Sequence, residues 1–448
     1  MGSVCFISNQ TKTLFYDKIA ERLTNKGVTV YWIVVNLKYY KMLVKKYGKN
    51  NVLYLPLNIS RLSKPFNLKI NDLLYSDRRL KNIPDRGIKY LKNIQPYIFD
   101  FISTRQVQIV LGEQTYAYEC LIFRIVNNFI EGSVAISAYL SRYPALHYCF
   151  YSDESFSREI FPSTNKASNY SSRSESIGSD YKKIIKSHIS NSKSFAYNFH
   201  KFMRFVKITD YDKQDPTWKS NTRWDKLKKN VKNYINIAGY SIIPKVEVSA
   251  IKEVPGNSIV FPLHLQPELN IDTAGRYFDN QYEAIINIWR QLGPEDCLFI
   301  KEHPVAIGNR GYVFYKKLLS KPNIKILNHQ CDVSGILNEC DYVFTISGTM
   351  GLEAAILGKK VFCMAPTSYD RLSTVATPNI EMFRSSLNIE LLYEKCITNK
   401  GGWSIDEYKD HMEKFSYPGD AEGDFLGNPS SWDGHNINNV AKVIEGLL

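Results

Sequence analysis

Short apolar runs alternate with longer stretches of helical spacing along the first 150 residues. Between the runs, apolar residues recur every three or four positions, which predicts helices at Thr11–Lys26, Arg86–Ser103 and Gln114–Asn128. Continuous apolar strands alternating with helices are typical of a parallel sheet covered on both faces. The runs themselves predict strands at Val4–Ser8, Val28–Val35, Asn51–Leu55, Val107–Leu111 and Val134–Ala138.

The same alternation resumes at Ser258. It predicts strands at Ser258–Leu263, Cys297–Lys301, Ile324–Leu327, Tyr342–Ile346 and Lys360–Met364, with helices at Tyr277–Leu292, Arg310–Leu319, Val333–Asn338 and Gly351–Leu357. The expected fold class is therefore α/β, with two Rossmann-type doubly wound domains facing a central cleft, as in the GT-B architecture. Expected boundaries are 1–150 and 251–385 for the two Rossmann-like domains, 151–250 for a basic helical insert and linker, and 386–448 for a helical tail.

Charge is concentrated in the insert. The 448 residues include 57 Lys and Arg against 44 Asp and Glu, a net charge of +13. Residues 151–240 hold 17 basic and 9 acidic residues, which is more than half of that excess. Such a segment indicates an anionic membrane surface, acceptor or substrate as its partner. Nucleic acid is not expected, because the interleaved aromatic and basic motifs of RNA-binding surfaces are missing.

The sequence shows no recognisable targeting signal. Its start lacks the basic segment and apolar run of a signal peptide, and no apolar stretch approaches the roughly 18–20 residues that span a bilayer. The eight cysteines form no Cys-x-x-Cys pair, so buried reduced thiols are expected. We therefore expect a cytoplasmic protein, with peripheral contact at the inner face of the plasma membrane.

Three polar motifs follow predicted strands of the second half. Because the carboxyl ends of parallel strands meet at one edge of the sheet, we expect their side chains to converge there. The first motif offers His264, Gln266 and Glu268, the second is Lys301-Glu302-His303-Pro304, and the third offers Ser347, Gly348, Thr349 and Glu353.

The third motif has the clearest chemistry. A helix start supplies unpaired backbone N–H groups which, with the Ser347 and Thr349 hydroxyls, can hold an anion. Gly348 and Gly351 permit close approach of a ligand, and Glu353 can accept from sugar or ribose hydroxyls. The alternative is an ordinary Ser/Thr helix cap with a carboxylate that completes a capping box.

The other two motifs also leave alternatives open. The His303 imidazole can donate to a phosphate or a base edge, or it can simply bond to backbone at the end of its strand. Lys301 and Glu302 alternate in direction, so at most one of them is expected to face a ligand. The first motif can equally be an ordinary polar loop.

Together these residues resemble the bacterial capsule polysaccharide biosynthesis family, which includes Kdo transferases. The resemblance is carried by Gln-Pro-Glu at 266–268, Tyr-Phe-Asp-Asn-Gln at 277–281, Lys-Glu-His-Pro at 301–304 and Ser-Gly-Thr-x-Gly-x-Glu at 347–353. It implies a GT-B glycosyltransferase that moves a sugar from a CMP-activated ulosonate such as CMP-Kdo. By the same resemblance, residues 251–385 bind this nucleotide sugar, with His303 at its phosphate and Ser347 and Thr349 at a phosphate or the sugar carboxylate.

Residues 1–150 would then bind the acceptor, a glycan or lipid-linked sugar. Glu113 follows the strand that ends at Leu111, where its carboxylate can deprotonate an acceptor hydroxyl or attack the anomeric carbon. It can equally be an acid at a helix start. Gln114 and Arg142 are candidate acceptor contacts and Asp153 is a second catalytic candidate, although Arg142 and Asp153 also fit a surface loop leading into the insert.

No Asp-x-Asp motif appears where a GT-A enzyme would chelate a metal for its donor, so we expect neither a metal nor a cofactor beyond the nucleotide sugar. Two other chemistries fit the same fold. One is a CDP-polyol phosphotransferase, which also carries a His-Pro step and a Ser-rich helix start. The other is a UDP-sugar-dependent transferase or epimerase. Thr349 in place of a second glycine and Glu353 without a paired glutamate weigh against an epimerase.

Overall fold

The structure is a computed structural model that describes residues 2–163, 213–217, 223–398, 401–423 and 428–448. The chain divides into two compact units. The first unit comprises residues 1–220 and 411–448, and the second comprises residues 221–410. The greater part of the predicted basic insert, 164–212 and 218–222, lies outside the described residues.

The first unit begins with alternating strands and helices, as the hydrophobic pattern predicted. Its strands are β1 (Ser3–Ile7), β2 (Thr29–Val34), β3 (Val52–Tyr54), β4 (Ile109–Leu111), β5 (Val134–Leu140), β6 (His147–Tyr151) and β7 (Glu159–Ile160). Its helices to this point are α1 (Lys12–Thr24), α2 (Leu37–Tyr47), α3 (Asn71–Ser76), α4 (Pro84–Thr104) and α5 (Ala117–Phe129).

Five of these strands form a parallel sheet in the order β3-β2-β1-β4-β5, which β6 and β7 extend by antiparallel pairing. Every residue of β1 is buried because both faces of the sheet are covered. Cys5 and Ile7 pack into one apolar cluster, whereas Val4 and Phe6 pack into a second, as the alternation of side chains along a strand requires. This burial explains the uninterrupted apolar run in the sequence.

The second unit repeats the alternation. Its helices are α6 (Arg223–Ser241), α7 (Ser249–Lys252), α8 (Gln281–Trp289), α9 (Tyr312–Leu319), α10 (Val333–Glu339), α11 (Thr349–Ile356), α12 (Ile380–Ser385) and α13 (Ile389–Ile397). Its strands are β8 (Ser258–Pro262), β9 (Cys297–Lys301), β10 (Ile324–Leu327), β11 (Tyr342–Thr345), β12 (Lys360–Cys363) and β13 (Val375–Ala376). The sheet is parallel throughout, in the order β10-β9-β8-β11-β12-β13.

Both sheets reverse their strand order once, as in Rossmann folds. The reversal falls between β1 and β4 in the first unit and between β8 and β11 in the second. The predicted pair of Rossmann-type α/β units is thus confirmed. In such sheets ligands bind outside the carboxyl ends of the strands at the point of reversal. Candidate residues at these two places are therefore the ones expected to contact a ligand.

The C-terminal segment is divided between the units, although the sequence pattern grouped 386–448 into one tail. The helix α14 (Ile405–Phe415) leads into β14 (Tyr417–Pro418), which pairs antiparallel with β6, and α15 (Gly434–Gly446) follows. The Lys26 ammonium pairs with the Glu445 carboxylate and links α15 to the region after α1. A two-residue strand gives no alternation to read, so its place in the first sheet could not be predicted.

Candidate functional site

The strand reversal of the second unit brings two of the predicted motifs into contact. His264 follows β8, and its Nε2 lies 3.2 Å from the Thr345 hydroxyl at the end of β11. The same nitrogen accepts a hydrogen bond of 3.2 Å from the backbone N–H of Ile346. The first and third motifs therefore meet at one edge of the sheet, where the carboxyl ends of parallel strands were expected to bring them together.

These contacts fix the protonation of His264. Because Nε2 accepts from a backbone N–H, the proton of the neutral ring is on Nδ1. Burial, with smaller contributions from the charges of Arg310 and His303, lowers the pKa of His264 to about 3. The imidazole is thus a neutral hydrogen-bond donor near pH 7, with its Nδ1–H directed away from Thr345.

Gly348 is required where β11 turns into α11. A Cβ on this residue would lie 2.8 Å from His264 Cε1 and 2.8 Å from Thr345 Oγ1, closer than side chains tolerate. The Gly348 N–H donates to Thr345 Oγ1 over 2.9 Å, which holds the turn against the histidine. Gly351 is similarly enclosed, because a Cβ there would lie 2.6 Å from the Tyr369 hydroxyl. The glycines of the third motif thus serve close packing.

The remaining groups of the third motif surround the start of α11. Thr349 is the first helical residue, and Glu353 lies one turn further along, both half-buried. The Ser347 hydroxyl donates to the Asn270 carbonyl over 3.1 Å, so it keeps only acceptor capacity in this arrangement. The predicted role of Ser347 as a donor to an anion would therefore require that bond to exchange. The helix start itself supplies N–H groups and a positive dipole end.

The second motif contains a buried ion pair that the sequence reasoning missed. Glu302 is fully buried, and its Oε1 accepts from Arg310 Nη1 over 2.7 Å and from the His303 N–H over 2.7 Å. Arg310 also donates through Nη2 to the His264 carbonyl. One guanidinium thus joins the loops after β8 and β9, and it holds both histidines in place.

His303 lies at the start of the short turn Pro304–Ala306. Its Nδ1 accepts from the Val305 N–H over 3.3 Å, which leaves the proton of the neutral ring on Nε2. Burial, followed by the charges of Lys301 and Arg310, lowers the pKa of His303 to about 4. His303 is therefore, like His264, a neutral donor near pH 7, and Pro304 shapes the turn that presents it.

Lys301 and Gln266 are engaged in holding the structure. Lys301 is buried, and its ammonium donates to the His329 carbonyl over 3.2 Å. Burial lowers the pKa of Lys301. Gln266 donates to the Asp279 carbonyl over 2.9 Å and accepts from Gln281 over 2.8 Å. Both side chains are thus bonded within the protein, and their predicted roles at the donor stay predictions.

Glu268 is half-buried in the same loop. Its backbone carbonyl accepts from the Ile271 and Asp272 N–H groups, at 3.2 and 2.8 Å, where the chain enters a π-helical turn at Asn270–Ala274. Its role at the donor stays a prediction.

In the first unit, Glu113 lies at the strand reversal between β1 and β4. Its Oε1 is 2.5 Å from the ammonium of Lys12, which is only 8% exposed. Asn9 Nδ2 donates to its Oε2 over 2.9 Å, and the Thr115 hydroxyl does so over 3.1 Å. Burial lowers and the Glu113 carboxylate raises the pKa of Lys12, with a net increase. Glu113 is therefore an oriented carboxylate that remains 27% exposed.

Two further carboxyl groups lie in this region. Glu119 is fully buried and caps the start of α5 by accepting from the Thr115 and Tyr116 N–H groups, each over 2.9 Å. Burial, reinforced by Glu113, raises the pKa of Glu119. Burial likewise raises the pKa of Glu422, against the charges of Lys12 and Arg142. The helix-start role considered for Glu113 thus belongs to Glu119.

Two other predicted site residues of the first unit are hydrogen-bonded within the protein. Gln114 is fully buried and donates to the Ser137 hydroxyl over 3.3 Å and to the Asp153 carbonyl over 3.0 Å, and its role at an acceptor stays a prediction. One Asp153 oxygen accepts from the Ser157 N–H and hydroxyl, each over 3.0 Å, so this carboxylate is bonded within its own loop, and its catalytic role stays a prediction. Arg142 is half-buried just after β5, near Glu422.

Sequence reasoning missed Lys12, Arg310 and Glu422. Lys12 and Arg310 each lie at the start of a predicted helix, where a basic residue gives no distinct signal. Glu422 belongs to the C-terminal segment. Lys12 and Glu113 are 101 residues apart in the chain. Their pairing could have been indicated only by knowing that β1 and β4 are neighbours in the sheet.

Within the described part of the chain, no group of three or more His, Cys, Asp and Glu side chains is arranged to hold a metal ion. The absence of a metal requirement stays a prediction. No helix of the described residues is both long enough and apolar enough to cross a membrane.

Comparison with known families supports the resemblance drawn from the motifs. Residues 177–382 match the family model described as capsule polysaccharide biosynthesis protein. This segment carries the sequence pattern of that family and contains all three motifs of the second unit. The predicted resemblance is thus confirmed over residues 177–382.

One curated protein and two solved structures illustrate the wider similarity. Protein FixF of Sinorhizobium fredii is 32% identical over 95 residues, which are 20% of this chain and 21% of FixF, so the match spans about a fifth of that protein. The beta Kdo 2,7 transferase KpsC of Thermosulfurimonas dismutans aligns over 92% of this chain and 98% of its own, with 10% identity and a TM-score of 0.36. A UDP co-structure of MnaA from S. aureus aligns over 100% and 98%, with 13% identity and a TM-score of 0.24. Because both TM-scores are low, no functional conclusion follows from them.

Proposed function

We propose that this protein is a GT-B glycosyltransferase of capsule polysaccharide biosynthesis. It transfers a sugar, an ulosonic acid such as Kdo, from a CMP-activated donor to a surface polysaccharide or glycolipid acceptor. The observation that carries the proposal is the contact of His264 with the turn Thr345–Gly348 at the strand reversal of the second unit. Such reversals are where open α/β sheets bind nucleotides.

The donor is recognised by neutral groups. The start of α11 and the Nδ1–H of His264 supply hydrogen-bond donors to an anion. His303 adds its Nε2–H at the neighbouring strand end, where the family resemblance implies the donor's phosphate. A CMP-ulosonate carries a phosphodiester and a carboxylate, both of which accept hydrogen bonds from such groups. Thr349 and Glu353 are placed by the same helix to contact the sugar or ribose hydroxyls.

Glu113 is the catalytic carboxylate of this proposal. Lys12 and Asn9 hold it in one orientation while leaving part of it open to solvent. It acts as a base toward an acceptor hydroxyl or as a nucleophile toward the anomeric carbon. Arg142 recognises an acidic acceptor, and the basic segment 151–250 brings the protein to an anionic membrane or a lipid-linked acceptor.

A donor screen by ligand-induced melting shift tests the proposal. A nucleotide that binds only the folded state raises the melting temperature by mass action. We expect CMP and CTP to raise it, whereas UDP and ADP leave it unchanged. His303→Ala should abolish the shift, with the exposed His435→Ala as the matched control that keeps it. A preference for UDP would contradict the CMP assignment and favour the UDP-sugar chemistry.

A further inference from the structure

An apolar stripe lies on the solvent side of α6. Its residues are spaced three and four positions apart along the helix, so they share one face. All of them are between 49% and 72% exposed, and they are Trp224, Leu227, Val231, Tyr234 and Ile235. A helix on a protein surface ordinarily turns such a face toward the core, so a continuous exposed stripe indicates an interaction surface.

The opposite face of α6 is fixed to the second unit. Asn236 is buried and donates to the Gly308 carbonyl over 2.9 Å. Tyr240 is also buried and belongs to the apolar core of this unit. Gly239 lies against Tyr312 of α9, since a Cβ there would be 3.0 Å from Tyr312 Cβ. These contacts hold α6 in the rotation that presents the stripe to solvent.

Lysines flank the stripe. Lys228, Lys229 and Lys232 are exposed, and Arg223–Lys232 contains five basic residues against one acidic residue. A helix with an apolar face of Trp, Leu and Tyr and a Lys-rich border is typical of helices that lie in the plane of a membrane interface. The charge of the border matches an anionic lipid surface better than it matches a second copy of this basic chain.

We infer that α6 is a membrane-docking helix that places the stripe among the lipids of an anionic bilayer, with the flanking lysines at the headgroups. The nineteen residues of α6 extend over about 28 Å, which suits a helix lying along the surface rather than crossing it. This inference deepens the proposed function and rests on it, because docking brings the enzyme to a lipid-linked acceptor.

Vesicle flotation of the full chain tests the inference. We expect binding to phosphatidylcholine vesicles that contain phosphatidylglycerol, and weak binding to phosphatidylcholine alone. The triple variant Leu227→Glu/Val231→Glu/Ile235→Glu should lose at least about tenfold in vesicle partitioning, since it removes buried apolar area and adds negative charge. The matched control is Ile380→Glu/Leu387→Glu, at positions 77% and 89% exposed in the same unit, and it should bind like the natural protein.

Three outcomes would overturn the inference. The first is that the natural protein fails to bind anionic vesicles, and the second is that the triple variant binds them as well as the control does. The third is that light scattering shows the natural protein to be a dimer and the triple variant a monomer. The last result would show that a second copy covers the stripe. The CMP melting shift is measured on the same variants. If the natural protein binds vesicles but shows no CMP melting shift, the donor assignment is refuted and the docking surface is retained.

Discussion

The two strand reversals of the molecule occupy equivalent positions in equivalent sheets, yet they present opposite chemistry. The reversal of the second unit carries the buried His264, whose Nε2 accepts from the Ile346 N–H and whose ring proton is therefore on Nδ1. The reversal of the first unit carries Glu113, an acceptor held by Lys12. The same topology thus carries histidines at the strand reversal of one unit and a carboxylate at that of the other, so the chemistry offered there is set by the strand-end residues and not by the fold.

The two edges also differ in how they are fixed. The positioning pair of the second unit, Glu302 and Arg310, is 0% and 12% exposed, and its carboxylate accepts from the backbone N–H of His303. In the first unit, the carboxylate of the pair is itself the candidate catalytic group and stays 27% exposed. The buried pair therefore holds its loops in place, whereas the partly exposed pair leaves a carboxylate that solvent can reach.

The sharpest test of this difference is Glu113→Gln. The amide keeps the size of the side chain and removes the charge, so we expect CMP release from CMP-Kdo to fall by about 10²–10⁴-fold. The CMP melting shift should persist, because the donor groups lie in the second unit. Release is measured with and without an acceptor.

Asp153→Asn is the matched control for Glu113→Gln. Since Asp153 already accepts from Ser157, its amide variant should turn over at nearly the natural rate. If Asp153→Asn loses turnover while Glu113→Gln keeps it, the roles of the two carboxylates are reversed and the first-unit edge is not the catalytic one.

Arg310→Ala tests the rigidity of the second-unit edge. Removal of the guanidinium leaves a buried Glu302 without its charge partner, which ordinarily costs about 3–5 kcal/mol. We expect the free energy of unfolding of the second unit, measured by urea denaturation, to fall by that amount. Arg290→Ala, at an exposed position beside Asn287, is the control and should change it by less than about 0.5 kcal/mol. Equal stability of the two variants would show that the pair is not a structural requirement.

Local patterns predicted most of the architecture and the meeting of His264 with the third motif, because strand order brings carboxyl ends together. They could not predict Lys12 beside Glu113 or Glu422 beside Arg142, since neither pairing leaves a periodic signal. They also could not show that the apolar side of α6 faces solvent, because the same spacing describes a helix that buries that side. They also could not show that the side chains of Gln114 and Lys301 are buried, because a polar residue at a strand end can turn inward as readily as outward.

The two buried, neutral histidines make the free energy of unfolding depend on pH. An ordinary histidine has a pKa of 6.5, whereas in the folded protein the pKa of His264 is lowered to about 3 and that of His303 to about 4. Below pH 6.5 the unfolded chain therefore binds more protons than the folded protein, and the free energy of unfolding falls as the pH decreases. Each histidine contributes at most about 1.4 kcal/mol per pH unit to this loss.

We expect His264→Asn to reduce the slope of stability against pH between 6.5 and 5, a window chosen to lie above most carboxyl titrations. Urea denaturation at intervals through that window measures the slope. Asparagine is chosen because its amide approximates the Nδ1 side of the ring. His435→Asn, at an exposed position in the first unit, should leave the slope unchanged. If the two variants have the same slope, His264 is not the buried neutral donor inferred from its contacts. The strand reversal of the second unit would then not differ from that of the first in the way described above.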